Sequence, residues 1–178
     1  MAKFIYNSEL CQLRPFQFDD APSIAFYANN RNVWLNLRDA FPHPYTLADA
    51  EQFIARVKSQ KPETALAIVH QKKTIGAIGY KIGTDVERVS AETGYWIGEP
   101  FWGQGIMTEV VQALTGYIIE KHNLSRVFAV PFEWNTASHR VLEKAGFQLE
   151  CRMRRSVIKE GKIIDQLLYA YVPHEIGP

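Results

Sequence analysis

The chain has 178 residues, which is enough for one domain with a sizeable apolar core. Hydrophobic residues make up 47% of the sequence and charged residues 22%, proportions that argue against a disordered polypeptide and against a membrane-embedded one. Because 20 Lys and Arg residues stand against 19 Asp and Glu residues, the net charge of +1 gives no broad positive field of the kind that holds nucleic acid or an anionic membrane.

The first residues of the chain lack the apolar core of a secretory signal, and no run approaches the roughly 18 apolar residues of a membrane span. The two cysteines, Cys11 and Cys151, lie far apart in sequence and match no metal-ligand spacing. We therefore expect a cytoplasmic protein with free thiols and no metal site, present as a monomer or a homodimer.

The first half of the sequence changes its apolar period from helical to strand-like. Ala50, Phe53, Ile54 and Val57 recur at helical spacing, whereas the later runs are short, apolar and β-rich and are separated by polar turns. The predicted elements are a strand at 10–16, helices at 21–29 and 47–59, and antiparallel strands at 64–70, 74–82 and 91–97.

The second half alternates helices and strands. Apolar residues from Met107 to Ile118 recur at i, i+3, i+4 and i+7, while Asn135 offers an N-cap and Gly146 a C-terminal stop for a shorter helix. The predicted elements are a helix at 105–122, a strand at 126–132, a helix at 135–145 and a hairpin of strands at 147–158 and 162–172. The order β-α-α-β-β-β-α-β-α-β-β predicts one mixed α/β domain from about residue 8 to 173.

A turn containing two glycines, Trp102-Gly103-Gln104-Gly105, lies between a predicted strand and the long helix. Such a turn exposes successive backbone N–H groups beside the positive end of a helix dipole, which favours a bound pyrophosphate. A Walker loop would require a following Gly-Lys-Ser/Thr, and the dinucleotide fingerprint would require a third glycine. The sequence has neither of them here. Taken alone, this glycine turn (residues 102–105) indicates an anion site or simply a tight turn.

Two longer segments carry a resemblance to a known family. They read Gly94-Tyr95-Trp96-Ile97-Gly98-Glu99-Pro100-Phe101-Trp102-Gly103-Gln104-Gly105-Ile106-Met107-Thr108-Glu109 and Asn135-Thr136-Ala137-Ser138-His139-Arg140-Val141-Leu142-Glu143-Lys144-Ala145-Gly146-Phe147. They resemble the GNAT superfamily of N-acetyltransferases and, more narrowly, its RimJ/RimL-type branch. In the general signature Arg/Gln-x-x-Gly-x-Gly/Ala this sequence has Trp102 first and Met107 last. The resemblance implies a mostly antiparallel, seven-stranded sheet flanked by about four helices.

The resemblance also implies acetyl-CoA as co-substrate. Backbone groups of Trp96 and Ile97 would pair with its pantetheine arm, and Asn135 would bond the same arm. Ser138 would lie near the thioester sulfur, although by position Asn135 and Ser138 also suit a helix cap and first turn. The residues expected at the pyrophosphate are Trp102, Gly103, Gln104, Gly105, Ile106, Met107 and Thr108.

No Cys-His pair or Ser-His-Asp order is evident, and the thioester is already activated, so we expect direct attack by the acceptor amine. Glu92 matches an acidic residue often found at this place in the family and is our candidate base, working through water. An exposed strand carboxylate is the alternative for Glu92. The catalytic residues predicted are therefore Glu92 and Ser138.

The sequence indicates the residues that would bind the acceptor amine less specifically than those that would bind acetyl-CoA. The side chains of Trp34, Phe41, His43 and Tyr45 lie where the family builds an acceptor wall, or they serve only packing. Three functions remain open: an acetyltransferase for a protein or peptide N-terminal α-amine, one for a small amine such as a polyamine or amino sugar, and an acyl-CoA-binding module without activity. Because the segment holding Trp34 and Tyr45 supplies no acidic cluster, the N-terminal α-amine is favoured over a polyamine.

Overall fold

The computed structural model describes residues 5–173. Within them, eight strands form a mixed, mostly antiparallel sheet in the order β1-β2-β3-β4-β5-β6-β8-β7, together with five α-helices. The strands are Tyr6–Asn7 (β1), Gln12–Pro15 (β2), Ala65–His70 (β3), Lys73–Ile82 (β4), Ser90–Ile97 (β5), Arg126–Ala129 (β6), Gln148–Lys159 (β7) and Lys162–Tyr171 (β8). The helices are Ala21–Ala28 (α1), Arg31–Trp34 (α2), Leu47–Ser59 (α3), Ile106–His122 (α4) and Thr136–Lys144 (α5).

The chain forms two compact units, each built from two stretches of sequence. The first unit contains the residues up to Gly79 together with Tyr95–Val110, and the second contains Tyr80–Gly94 together with the residues from Val111 onward. As a consequence β4, β5 and α4 each begin in one unit and end in the other. None of the helices in the described part of the chain is long and apolar enough to cross a membrane.

The core of the first unit is built by α1 and α3 with residues of the sheet. Ile24 of α1 and Ile54 of α3 are both 0% exposed and belong to one cluster with Phe16 and Val69. Burying an aliphatic side chain of this size contributes about 1.5–3 kcal/mol. The start of α3 is fixed by Thr46, whose hydroxyl accepts the N–H of Asp49 at 3.2 Å while its own N–H donates to the Asp49 carboxylate at 2.7 Å.

The second unit combines parallel and antiparallel pairing. β5 and β6 run parallel, with Ser90 opposite Arg126 and Glu92 opposite Phe128. β8 pairs antiparallel with β6 on one side and with β7 on the other. The β7–β8 hairpin turns at Glu160 and Gly161, whose φ angles of 47° and 73° are those of a tight hairpin turn.

The predicted order of elements is confirmed, with two additions that sequence patterns did not indicate. The eighth strand, β1, has two residues and pairs with β2, which is too short a segment to show an apolar period. The additional helix, α2, is one turn long and starts where the Asn30 side chain accepts the N–H groups of Asn32 and Val33. The strand predicted at 126–132 ends at Ala129, shortly before Pro131, which has no N–H for a ladder.

Candidate active site

The glycine turn leads directly into α4. Gly103 and Gly105 have φ angles of 74° and 82°, a region that residues with a side chain rarely adopt. A Cβ built at either glycine would meet nothing within 4 Å among the described residues, so the space in front of both glycines is open. The first turn of α4 follows at once, and its N–H groups have no acceptor within the helix.

Two side chains fix the path of the glycine turn. Trp102 donates its indole N–H to the carbonyl oxygen of Ile97 at 2.9 Å, and Gln104 donates its amide N–H to the carbonyl oxygen of Pro100 at 2.9 Å. The following side chains of Ile106 and Met107 are 1% and 7% exposed. Among the residues predicted at the pyrophosphate, these two therefore serve as packing through their side chains and offer a ligand only their backbone.

The loop before the glycine turn is anchored by two asparagines that the sequence did not single out. Asn30 donates to one oxygen of the Glu99 carboxylate at 2.7 Å, and Asn32 donates to the other at 2.8 Å. These hydrogen bonds join the start of α2 to the segment that leads into Trp102. Because the contact spans almost 70 positions of sequence, no local pattern indicates it.

The end of β5 lies close against β4 in the first unit. A Cβ at Gly76 would lie 2.3 Å from the carbonyl oxygen of Trp96, so only glycine fits there. Gly98 also donates its N–H to the carbonyl oxygen of Ile75 at 2.8 Å. The backbone of Trp96 and Ile97, predicted to pair with the pantetheine arm, is thus held in place along its β4 side.

A second group of contacts, also missed from the sequence, fixes the first turn of α4. One oxygen of the Glu109 carboxylate accepts a hydrogen bond from the hydroxyl of Tyr6 at 3.1 Å, a short one from the hydroxyl of Ser8, and a contact from the thiol of Cys11 at 3.8 Å. Burial and the nearby carboxylate raise the pKa of the Cys11 thiol to about 11. Cys11 is therefore a neutral thiol at physiological pH.

In the second unit, the N-cap predicted for α5 is confirmed. The side-chain oxygen of Asn135 accepts the N–H of Ser138 at 3.1 Å. His139, the neighbour of Ser138, has its Nε2 3.1 Å from the carbonyl oxygen of Phe132 and its ring stacked on Tyr169. The contributions of Asn135 and Ser138 to acetyl transfer stay predictions.

Glu92 lines a cavity of about 360 Å³ in the second unit. We call it the β5–β6 cavity. Its lining residues are Lys81, Ile82, Gly83, Glu87, Ser90, Glu92, Arg126, Phe128 and Leu168. Since Ser90 faces Arg126 and Glu92 faces Phe128 in the register, these four side chains share one face of the sheet.

The four residues predicted as an acceptor wall lie in the first unit and form two pairs. Trp34 stacks on His43 with ring centroids 5.5 Å apart, and Phe41 lies 4.7 Å from Tyr45 and 5.6 Å from Trp96. Tyr45 is only 5% exposed, and burial raises its pKa to about 12. Phe41 and Tyr45 thus contribute to the core, whereas His43 is exposed.

Within residues 5–173, no three His, Cys, Asp or Glu side chains are grouped so that they could hold a metal ion. In the first unit, the backbone N–H groups at the start of α4 can bind an anion. In the second unit, α5 is capped by Asn135 and the Glu92 carboxylate lines the β5–β6 cavity, where it can accept a hydrogen bond or a proton.

Comparison with known proteins defines the class. Residues 11–148 match the Acetyltransferase (GNAT) domain family. Because the match spans well over half of the chain, the protein belongs to the GNAT acetyltransferase family and is an N-acetyltransferase. The family and the fold implied by the two sequence segments are therefore confirmed.

Among the relatives, one matches nearly the whole chain and another a little more than half of it. N-acetyltransferase p20 of Bacillus licheniformis is 27% identical over an alignment of 176 residues that covers 94% of this chain and 96% of that protein. Ribosomal-protein-serine acetyltransferase of Escherichia coli (strain K12) is 29% identical over 105 residues, 59% of this chain and 58% of that protein. Among solved structures, RimL, a ribosomal L7/L12 alpha-N-protein acetyltransferase in complex with coenzyme A, has a TM-score of 0.83 at 22% identity and covers 96% of this chain and 98% of that one.

Proposed function

We propose that the protein transfers the acetyl group of acetyl-CoA to the α-amine of a protein or peptide N-terminus. The observation that carries the choice of acetyl-CoA as donor is the glycine turn, where two glycines with positive φ leave open space immediately before α4. The dipole at a helix N-terminus favours an anion by a fraction of a kcal/mol up to ~2 kcal/mol. A pyrophosphate therefore needs no cationic side chain at this place.

The co-substrate would be held mainly by backbone. N–H groups of residues 102–108 would bind its pyrophosphate, with the hydroxyl of Thr108 as a further donor. Backbone groups of Trp96 and Ile97 would pair with the pantetheine arm as though it were an added strand, and the amide of Asn135 would donate to the same arm. Acetyl-CoA supplies a thioester that is already activated for attack by an amine.

Residues of this chain would then polarise the carbonyl and receive the departing charge. A backbone N–H of β5 directed at the carbonyl oxygen acts as an oxyanion donor, which typically contributes ~3 to 4 kcal/mol. The hydroxyl of Ser138 would donate a hydrogen bond to the departing thiolate and so stabilise its charge, and the thiolate would take its proton from water. Direct transfer from thioester to amine requires no covalent intermediate on the protein.

The proton lost by the amine would pass to Glu92 through water. An α-amine with a pKa near ~8 is about a tenth neutral at pH 7, whereas a lysine amine near ~10.4 is neutral to well under ~0.1%. The lysine amine therefore costs roughly 4 to 5 kcal/mol to deprotonate, several times the cost for an α-amine. The single carboxylate of Glu92, which lines a cavity, suits deprotonation of the α-amine, the easier of the two.

The names of the relatives support the same acceptor. The Escherichia coli relative is named as a ribosomal-protein-serine acetyltransferase, and the RimL structure as a ribosomal L7/L12 alpha-N-protein acetyltransferase. We extend this acceptor class to the present chain, and with it a cytoplasmic location, because ribosomal proteins are found there.

A thiol-release assay with acetyl-CoA tests the proposal. The acceptor panel contains peptides with free N-termini, the same peptides with blocked N-termini, polyamines and amino sugars, and we expect release with the free peptides only. Glu92→Gln should lower kcat and remove its carboxylate from the pH profile, while Ser138→Ala should lower kcat at unchanged affinity for acetyl-CoA.

Three other outcomes of these assays would change the proposal. Release with polyamines or amino sugars alone would replace the proposed acceptor by a small amine. Binding of acetyl-CoA without release from any amine would indicate a binding module. An unchanged pH profile in Glu92→Gln would remove that residue from the mechanism.

A further inference from the structure

The β5–β6 cavity contains charged groups of both signs, which the transfer of an acetyl group does not by itself require. We propose that this cavity receives the N-terminal residues of the acceptor and that Lys81 selects acceptors carrying an anionic group close to the amine. The inference rests on the proposed function, because it assigns the amine to Glu92 and adds a determinant of specificity beside it.

The position of Glu92 connects the cavity with the chemistry. Ser90, Glu92, Arg126 and Phe128 lie on one face of the parallel β5–β6 pair, and all four line the cavity. An amine that enters the cavity therefore approaches Glu92 on the face where its carboxylate lies. The volume of about 360 Å³ is at the lower end of ligand pockets, so it suits one or two terminal residues of an extended peptide.

The two cations of the cavity differ in how their charge is used. Both terminal nitrogens of Arg126 donate to the Glu150 carboxylate, one of them at 2.6 Å, and the guanidinium lies 5.7 Å from the centre of the Phe128 ring. Its charge is thus already balanced by a bidentate partner. Lys81 is exposed and has no ion pair within residues 5–173, so it is the cation available to an incoming anion.

The carboxylates and the apolar surface of the cavity define the other features that a fitting ligand must have. Glu87 and Glu92 both line the cavity and favour an ammonium group, while Phe128 and Leu168 offer apolar surface for the stem between two charged groups. A ligand that satisfies all of these groups carries a primary amine and, a few ångströms away, a carboxylate. A peptide N-terminus with an acidic side chain in its first two residues has this chemistry.

Three otherwise identical peptides test the inference, with Glu, Gln or Lys as their second residue. For the wild type we expect kcat/KM about fivefold higher with the Glu peptide than with the Gln peptide, the size of one partly exposed charge pair, and lowest with the Lys peptide. Lys81→Gln should abolish the preference by raising KM for the Glu peptide at little change in kcat. Lys81→Glu should reverse it in favour of the Lys peptide.

Lys162→Glu is the matched control, because Lys162 is an exposed lysine of the same unit that does not line the cavity. It should keep the wild-type order of peptides, and thermal melting should show that all three variants are folded. A wild-type order of peptides in active Lys81→Gln and Lys81→Glu would overturn the inference while leaving the acetyltransferase intact. Acetylation of a small amine but of no peptide would replace the proposed acceptor and overturn this inference, while leaving the acetyltransferase activity intact. Absence of transfer to any amine would overturn the proposed function, and this inference with it.

Discussion

At the scale of single residues, Asp20 is a buried carboxylate with a complete set of donors. Both terminal nitrogens of Arg14 donate to it at 2.7 and 2.8 Å, and the hydroxyl of Thr74 and the N–H of Gln17 also donate to it. Burial alone would raise the pKa of Asp20, but the hydrogen bonds from Arg14, Thr74 and Gln17 outweigh it and hold the pKa below its ordinary value of 3.8. The carboxylate is thus bound in its charged form.

We predict that Asp20→Asn lowers the free energy of unfolding at pH 7 by about 3 kcal/mol, because it leaves the buried guanidinium of Arg14 without a counter-charge. Since the folded-state pKa lies below the unfolded one, the contribution of Asp20 is complete above pH 3.8 and is lost as the pH falls through the folded-state pKa. Urea unfolding between pH 7 and pH 3 should therefore be less acid-sensitive in the variant. Asp19→Asn, at an exposed neighbour, should behave as the wild type.

A substitution at Gly105 allows the effect of backbone strain to be separated from the effect on ligand binding. Gly105 and Gly161 both have positive φ, at 82° and 73°, and a Cβ at either would meet nothing within 4 Å among the described residues. We predict that Gly105→Ala and Gly161→Ala each lose about 1 kcal/mol of unfolding free energy from backbone strain. Only Gly105→Ala should weaken acetyl-CoA binding, by about tenfold in Kd measured by titration calorimetry. Equal affinities in the two variants would mean that the glycine turn does not bind the phosphates.

At the scale of elements, α5 begins at a residue to which we assign two functions. As N-cap, Asn135 contributes about 1 kcal/mol, and serine caps a helix nearly as well. We predict that Asn135→Ser keeps the melting temperature but raises KM for acetyl-CoA several-fold, because the amide donor to the pantetheine arm is lost. Asn135→Ala should lower both stability and affinity. A wild-type KM in Asn135→Ser would limit the residue to capping.

Most elements were predictable because their signals are local. The apolar spacing of α3 and α4 and the cap and stop residues of α5 lie within each segment, and the observed bounds agree to within two residues. β1 and α2 were not predictable in this way, because the first has two residues and the second a single turn held by Asn30. Their existence depends on pairing with β2 and on hydrogen bonds to Glu99, which are distant in sequence.

At the scale of the whole molecule, the functional groups divide into those given by continuous segments and those assembled from several strands. The glycine turn and the α5 cap each lie within one continuous stretch of sequence, so sequence motifs and the family resemblance predicted both of them. The β5–β6 cavity takes residues from β4, the β4–β5 connection, β5, β6 and β8, and Lys81 and Arg126 carry no motif. The cluster around Glu109 likewise joins residues about 100 positions apart. Such groups become visible only when the fold brings them together.

The proposed function is tested most directly by the position of the acetyl group on a peptide that carries one free α-amine and one lysine. After incubation with acetyl-CoA and the protein, fragment-ion mass spectrometry locates the added acetyl group while thiol release counts turnovers. We predict acetylation of the α-amine, equal in amount to the thiol released, and only a slow residual rate in the variant that combines Ser138→Ala and Glu92→Gln. Acetylation of the lysine alone, or thiol release without an acetylated peptide, would contradict it.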